Sequence, residues 1–515
     1  MSAIVTEQHR ISLAKNFVNS VSTGRDTYYT FIGLPNATEY QSTWNANPPA
    51  PKDSFDQEND YWDTMIALKK IYTNNVRLII KNSTWASGTI YDMYRNDITR
   101  TNVSRPSGAT SLYASGYYVV NEDYKVYICL FNGADPENPN GRPSLNEPTF
   151  TDLEPRGAGD GGDGYIWKYL YTIKPSDIIK FVTANYIPVP SDWETNAEYS
   201  PIRNNAINGG QIKIITIANR GVSVGAPNTA YSKVKIVGDG YGAEATVVVN
   251  NDSKVDSITV TKGGTGYTYG TVDLSSVNIQ VGTLTPVFNV IIPPKGGHGY
   301  DIYRELGASK VMLYARFEND PTNPDFITGN QTARFGIVKN AQTFGSTTLL
   351  NTDRASALSA IKVSGTNLNS GTFPANSTFT QTIGVGATAI GRVASFDYTN
   401  NVLRYWQDRS LAGFNRDGSQ NSSPTYGFNL NNFTSTPTQD GSLNLICNSS
   451  VVPIDNTFNG DYNTINNNYL GQNFTNGISN PEVKKYSGDI IHVDNRPSTP
   501  RSINQQEDVK VILLF

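Results

Sequence analysis

The sequence predicts a mainly β protein of several domains. The first observation is residues 161–175, where Gly161, Gly162 and Gly164 supply the positive backbone angles of a tight turn around Asp163. Tyr165 then opens a strand that alternates Trp167, Tyr169, Tyr171 and Ile173 onto one face, with Pro175 expected to stop it. The second is composition: 17% charged residues, 44 Gly and 30 Tyr favour β-structure joined by long polar loops over a typical soluble enzyme. The third is length, since 515 residues at about one domain per 150 suggest roughly three domains.

The elements follow in order. Ile11, Ala14, Phe17, Val18 and Val21 share one helical face that ends at Ser22-Thr23-Gly24, and Tyr28 to Ile32 reads as a strand. A second helix is expected from Gln57 to Tyr72, capped by Ser54 or Asp56, with Tyr61, Met65, Leu68 and Tyr72 as its stripe. Arg77 to Ile80 and Tyr124 to Leu130 read as short strands between polar turns. From Ile212 to Leu274 the chain becomes a run of alternating strands cut by glycine turns, with Gly240-Tyr241 and Gly266-Tyr267 at equivalent places in its two halves. This reads as an inserted β-module ending near Pro293-Pro294. Ser309 to Phe317 and Thr332 to Lys339 are expected to pair, and Ala387 to Phe396 and Asn401 to Trp406 form strands within a second insert. The poverty of aliphatic residues from Gly418 to Asn468 predicts long loops there.

Several functions are excluded on composition. A net charge of −4 without a block of like charge lacks both the footprint of a nucleic-acid binder and a polybasic membrane patch. No apolar run approaches the ~18 residues needed to span a bilayer, and no signal-peptide core follows Met1, so export by the Sec route is not expected. Cys129 and Cys447 stand far apart, which predicts no disulfide, and with His9, His298 and His492 as the only histidines a zinc site has nothing to build on. No cofactor and no metal is expected.

Glu154, Asp160 and Asp163 crowd within ten residues, and paired carboxylates are what glycosidases use, but in a glycine-rich turn such groups usually cap backbone amides. Asp160 to Asp163 and Gly263 to Gly266 lack the regular aspartate spacing of a calcium loop. Gly238 to Gly242 resembles a phosphate cradle but is followed by neither Lys-Ser/Thr nor a helix, so it reads as a hairpin turn. His298 and His492, the latter beside Asp494, have no nucleophile in an elbow context and read as structural histidines.

The run from Gly161 to Asp177, followed by Asn185-Tyr-Ile-Pro-Val-Pro190, resembles the dimer-forming baseplate wedge subunit of T-even-type contractile-tailed phages. A second match is Lys485 to Pro497, with Gly488, Asp489, Asn495, Arg496 and Pro497 in family order, closing on Val509 to Phe515. The helix with Asn19-Ser20 and the strand after it form a looser third match. The resemblance spans roughly residues 3–200, 299–344 and 480–515 and implies a layered β-sandwich with a few helices in long loops, enlarged by two small inserted β-domains. The expected segments are 1–205, 297–346 and 476–515 for the core, with inserts at 206–296 and 347–475. It further implies a non-enzymatic virion protein of the tail baseplate, made and assembled in the host cytoplasm. The implied partners are a second copy of itself, other wedge proteins and tail-fibre attachment proteins, with no nucleic acid or membrane. The competing expectation is a carbohydrate-binding or depolymerising tail protein.

Overall fold

The computed structural model describes residues 4–35, 44–160, 162–208, 211–318, 327, 330–384, 387–407, 428, 443–461, 472–502 and 505–515. It is mainly β, with 40% strand and 13% helix. By contacts the chain divides into two units, residues 1–18, 77–312 and 512–515 in one and 19–76 and 313–511 in the other.

The first unit is organised around a three-stranded antiparallel sheet in the order Tyr118–Val120, Lys125–Asn132, Tyr165–Thr172. Two register shifts, between Val126 and Tyr127 and between Cys129 and Phe131, interrupt its central pairing. Strict alternation is therefore lost: Trp167, Lys168, Leu170 and Tyr171 are buried, whereas Tyr169 is only half-buried. Pro175 does not simply stop the strand. It occupies the first turn of the helix Pro175–Phe181, where its missing N–H leaves no intrahelical bond unmade. Residues 212–292 form a four-stranded sheet in the order Val255–Thr265, Tyr241–Val249, Ala230–Gly238, Gly270–Asp273, and a two-stranded sheet, Ile215–Asn219 with Val287–Val290. Their inner faces meet: Ile215 and Phe288 pack with Ile236, Ala245 and Tyr267.

The second unit contains a five-stranded sheet, ordered Arg354–Ser356, Met65–Lys70, Tyr28–Gly33, Gln331–Lys339, Asp489–Pro500, and a seven-stranded sheet that includes Ala387–Asp397 and Val402–Trp406. Ile32, Ile66 and Ala67 of the five-stranded sheet pack with Ala394 and Trp406 of the larger one. The opposite face buries Phe31, Met65 and Leu68 under Trp62 and Val483. Both faces of the sheet are thus covered, as in a sandwich with a further layer.

That double burial explains one departure from the sequence expectation. The second helix covers only Phe55–Thr64, with the Ser54 side chain capping it as expected, and Met65–Lys70 is a central strand. Met65, Ile66, Ala67 and Leu68 are all buried, the continuous apolar run of a strand covered on both faces, and the neighbouring ladder overrides the helical spacing. Lys310–Glu318 and Gln331–Lys339 do not pair but belong to different sheets. Within 418–468, Asn444–Cys447 and Ser450–Pro453 form a hairpin of the seven-stranded sheet. The remaining loop expectation falls largely outside the described residues. The C-terminal strand, Gln506–Leu514, is an edge strand paired beside Lys310–Glu318 in a four-stranded sheet.

Gly488 opens the last strand of the five-stranded sheet at φ +79°, and a Cβ there would stand 2.4 Å from the Lys339 carbonyl oxygen and 2.6 Å from the Ala341 nitrogen. Gly88, at φ +83°, has nothing within 4 Å of the same position. Gly88→Ala should therefore cost only its backbone strain, about 1–2 kcal/mol, and Gly488→Ala clearly more. Denaturant midpoints of the two variants check this ordering.

Candidate functional site

The turn before Tyr165–Thr172 is built on Asp163, which is 4% exposed. Its Oδ2 accepts from the Leu145 and Asn146 amides at 2.9 and 3.1 Å, and its Oδ1 from the Tyr165 amide at 3.1 Å. Asp160 accepts from the Gly162 amide and the Asn146 side chain, and Glu154 from Asn205 and Lys213. Asp160 and Asp163 therefore both hold the loop at Asn146, while Glu154 holds Asn205 and Lys213, and each carboxylate is taken up by bonds within the chain. Gly164 takes φ +78°, as the tight turn demands, whereas Gly162 does not take the positive φ expected of it, and Gly161 lies outside the described residues.

The aromatic strand is fastened by its polar tips. Tyr165 stacks on Trp167 at 5.3 Å, donates to the Arg142 carbonyl at 2.8 Å and accepts from the Tyr91 amide. Tyr171 donates to the Pro188 carbonyl, while the half-buried Tyr169 lies 5.8 Å from the Tyr127 ring and bonds the Thr172 hydroxyl.

Sequence reasoning missed the charged group beneath this strand. Lys168 is 1% exposed, with Nζ bonded to the Leu153 carbonyl at 2.7 Å and Asn205 Oδ1 at 2.9 Å, and burial pulls its ammonium down to about 8. Nearby Glu305, also buried, takes His298 Nδ1 at 2.6 Å and the Gly299 amide at 2.7 Å. His298 is thus held in place by a carboxylate and lies edge-on to the Tyr94 ring. A lysine interrupting an apolar-aromatic strand was the available signal.

In the second unit the C-terminal motif converges on Arg334, which sequence reasoning also passed over. Its guanidinium, 2% exposed, meets Asp60 Oδ2 and Thr64 Oγ1 at 2.6 Å each and Asn495 Oδ1 at 3.2 Å, between the Trp44 and Tyr61 rings. Asn495 also donates to the Pro49 carbonyl, and the Arg496 carbonyl accepts from Trp44 Nε1. The Arg496 side chain pairs with Asp494, while Asp489 and Pro497 are exposed. His492 is half-buried, and desolvation lowers its pKa. In the first unit, Phe515 lies 5.7 Å from Phe17. Among the described residues no group of three or more His, Cys, Asp or Glu could hold a metal ion, and both cysteines are free and buried.

Comparison with known proteins agrees with the resemblance read from the motifs. Residues 3–155 and 129–205 match the family described as Bacteriophage T4, Gp8. Baseplate wedge protein gp8 of Enterobacteria phage T4 is 30% identical over 217 residues, covering 39% of this chain and 64% of that protein. The chain thus spans just under two thirds of the length of that relative. The strand Tyr165–Thr172 and its turn lie inside the matched region, whereas residues 485–497 lie outside the family match.

Lys168 makes stability depend on pH. Its folded pKa, about 8, lies below the ordinary 10.5, so between these values the unfolded chain binds a proton that the folded chain lacks, and stability rises with pH. Above about 10 the buried tyrosines Tyr94, Tyr127 and Tyr165, whose pKa values burial raises, act in the opposite sense. From pH 8 to 10, wild-type stability should climb relative to Lys168→Met by at most about 1.4 kcal/mol per unit. Unfolding curves across that window measure the slope.

Proposed function

We propose that this chain is a structural subunit of a contractile phage tail baseplate wedge that forms a homodimer, bridges neighbouring wedge proteins and carries out no catalysis. The carrying observation is the similarity of residues 3–205 to the T4 wedge protein family, which supports a virion protein of the tail baseplate. The geometry agrees in kind: the carboxylates at 154, 160 and 163 hold loops together, and the two buried histidine and lysine groups serve internal bonds. We propose Gly162, Asp163, Gly164, Tyr165, Trp167, Tyr169 and Pro175, with Gly488, Asp489, Asn495, Arg496, Pro497 and Phe515, as the positions that preserve the wedge architecture, Gly161 included with the first set. The segments 206–296 and 347–475 are proposed as additions to that architecture. Binding to tail-fibre attachment proteins belongs to the same proposal.

High tyrosine content is not by itself support for a dimer, because many of these hydroxyls bond main-chain carbonyls within the chain. The dimer proposal rests on the resemblance. One observation favours the competing glycan-binding reading: Tyr241 and Tyr269 are 73% and 63% exposed near one end of the four-stranded insert sheet, and exposed aromatic rings can stack on sugars.

Sedimentation of the purified chain at micromolar concentration should give a dimer that ignores bacterial polysaccharide and associates with sister wedge proteins. A monomer in solution and in particles would remove the dimer claim. Polysaccharide binding lost in Tyr241→Ala and Tyr269→Ala would favour the glycan reading.

A further inference from the structure

The described part of the first unit contains a cleft of about 320 Å³ with one wall from the core loops and the other from the inserted module. The core contributes Arg95, Arg105, Asn132 and Asp135, and the module contributes Thr216 and Ala218 of one strand and Asn289 of its partner. The two walls are fixed to each other. Arg220 of the module grips Glu137 with both carboxylate oxygens, at 2.8–3.2 Å, and the Ile292 amide donates to Asn96 Oδ1 at 3.0 Å.

The charges of the lining are unevenly satisfied. Asp135 is neutralised by Arg142 at 2.7 Å, and Arg95 holds Asp97 with Nε and Nη2. Arg105 is exposed and, among the described residues, makes no hydrogen bond or ion pair. A guanidinium left without a carboxylate at the rim of a preformed cleft is complementary to an incoming carboxylate. The rest of the lining narrows the choice of ligand. Pro106, Pro136 and Pro139 give stiff walls, and Thr216 and Asn289 offer hydroxyl and amide groups suited to a peptide backbone. No aromatic ring lines the cleft to stack on a sugar face.

We propose that this cleft is a docking site for an acidic, extended peptide segment of another baseplate chain, and that the module at 206–296 serves to complete it. The proposal deepens the wedge reading and rests on it. The cleft seats an acidic side chain against Arg105, with the peptide backbone between the core and module walls.

The test titrates the full-length protein with a fluorescein-labelled hexapeptide of Asp, Glu and Gly and with its Asn/Gln counterpart, using D-glucuronate as competitor. The acidic peptide should bind at least about tenfold more tightly than the amide peptide and weaken as salt rises. Arg105→Glu should weaken it by about tenfold or more, and so should Ala218→Trp, which fills the cleft from the module side at an exposed strand position. Neither substitution removes a buried contact, so circular dichroism and the sedimentation profile should stay those of the parent. Equal binding of the two peptides, or indifference to both variants, overturns the proposal. Displacement by equimolar glucuronate reassigns the cleft to acidic sugars and overturns it too. If the peptide fails to bind while the chain still dimerises and enters baseplates, only the cleft assignment falls and the wedge reading stands.

Discussion

A buried phenol must find a hydrogen-bond partner, and in this protein many of the partners are main-chain carbonyls, several of them in loops. Tyr127 donates to Phe150, Tyr165 to Arg142 and Tyr303 to Pro190, each joining a strand or helix to a loop, while Tyr171 to Pro188 and Tyr118 to Lys81 join one strand to another. In the second unit Tyr29 reaches the Thr352 carbonyl in the same way, and Trp44 Nε1 donates to the Arg496 carbonyl of the last strand of the five-stranded sheet. The rings supply the apolar area that the sparse aliphatic residues do not, and the hydroxyls fasten long polar connections that would otherwise be free to move. A chain with 30 tyrosines and a low share of charge can thereby hold a fixed shape.

The same logic governs the buried charges. Arg334, Glu305 and Lys168 each sit where two or more segments meet, and each is bonded to groups of those segments. Removing one partner would leave a charge uncompensated, so these groups specify which loop lies where more than they add to stability. Asn495 shows how a motif residue takes part: it joins Arg334 to the Pro49 carbonyl, tying the last strand of the five-stranded sheet to the segment before the second helix.

Much of this was legible in the sequence. The helix at Glu7–Ser22, the strands from Tyr28 and Lys125, the glycine hairpins of the module and the strands flanking Asp397 follow from periodicity and turn chemistry. The role of Asp163 as an amide cap follows from a carboxylate among glycines. What stayed hidden depends on distant residues. Met65–Lys70 is a strand because Tyr28–Gly33 and Arg354–Ser356 pair with it on either side, and no local spacing encodes that. The half-burial of Tyr169 follows from register shifts in the opposing strand. The partners of Lys168 and Arg334 lie up to 274 residues away in the chain, so their burial could be suspected from an apolar setting but their bonds could not be read.

The claim that tyrosine hydroxyls hold the polar loops is tested most directly by hydrogen exchange on the double variant Tyr127→Phe, Tyr165→Phe, which keeps both rings and removes two bonds to residues 142–150. The account predicts faster exchange of amides in that loop, including those of Leu145 and Asn146 that Asp163 accepts, with protection in Lys125–Asn132 and Tyr165–Thr172 retained. Exchange in the loop indistinguishable from that of the parent would contradict it, because the rings alone would then suffice to fix the connection.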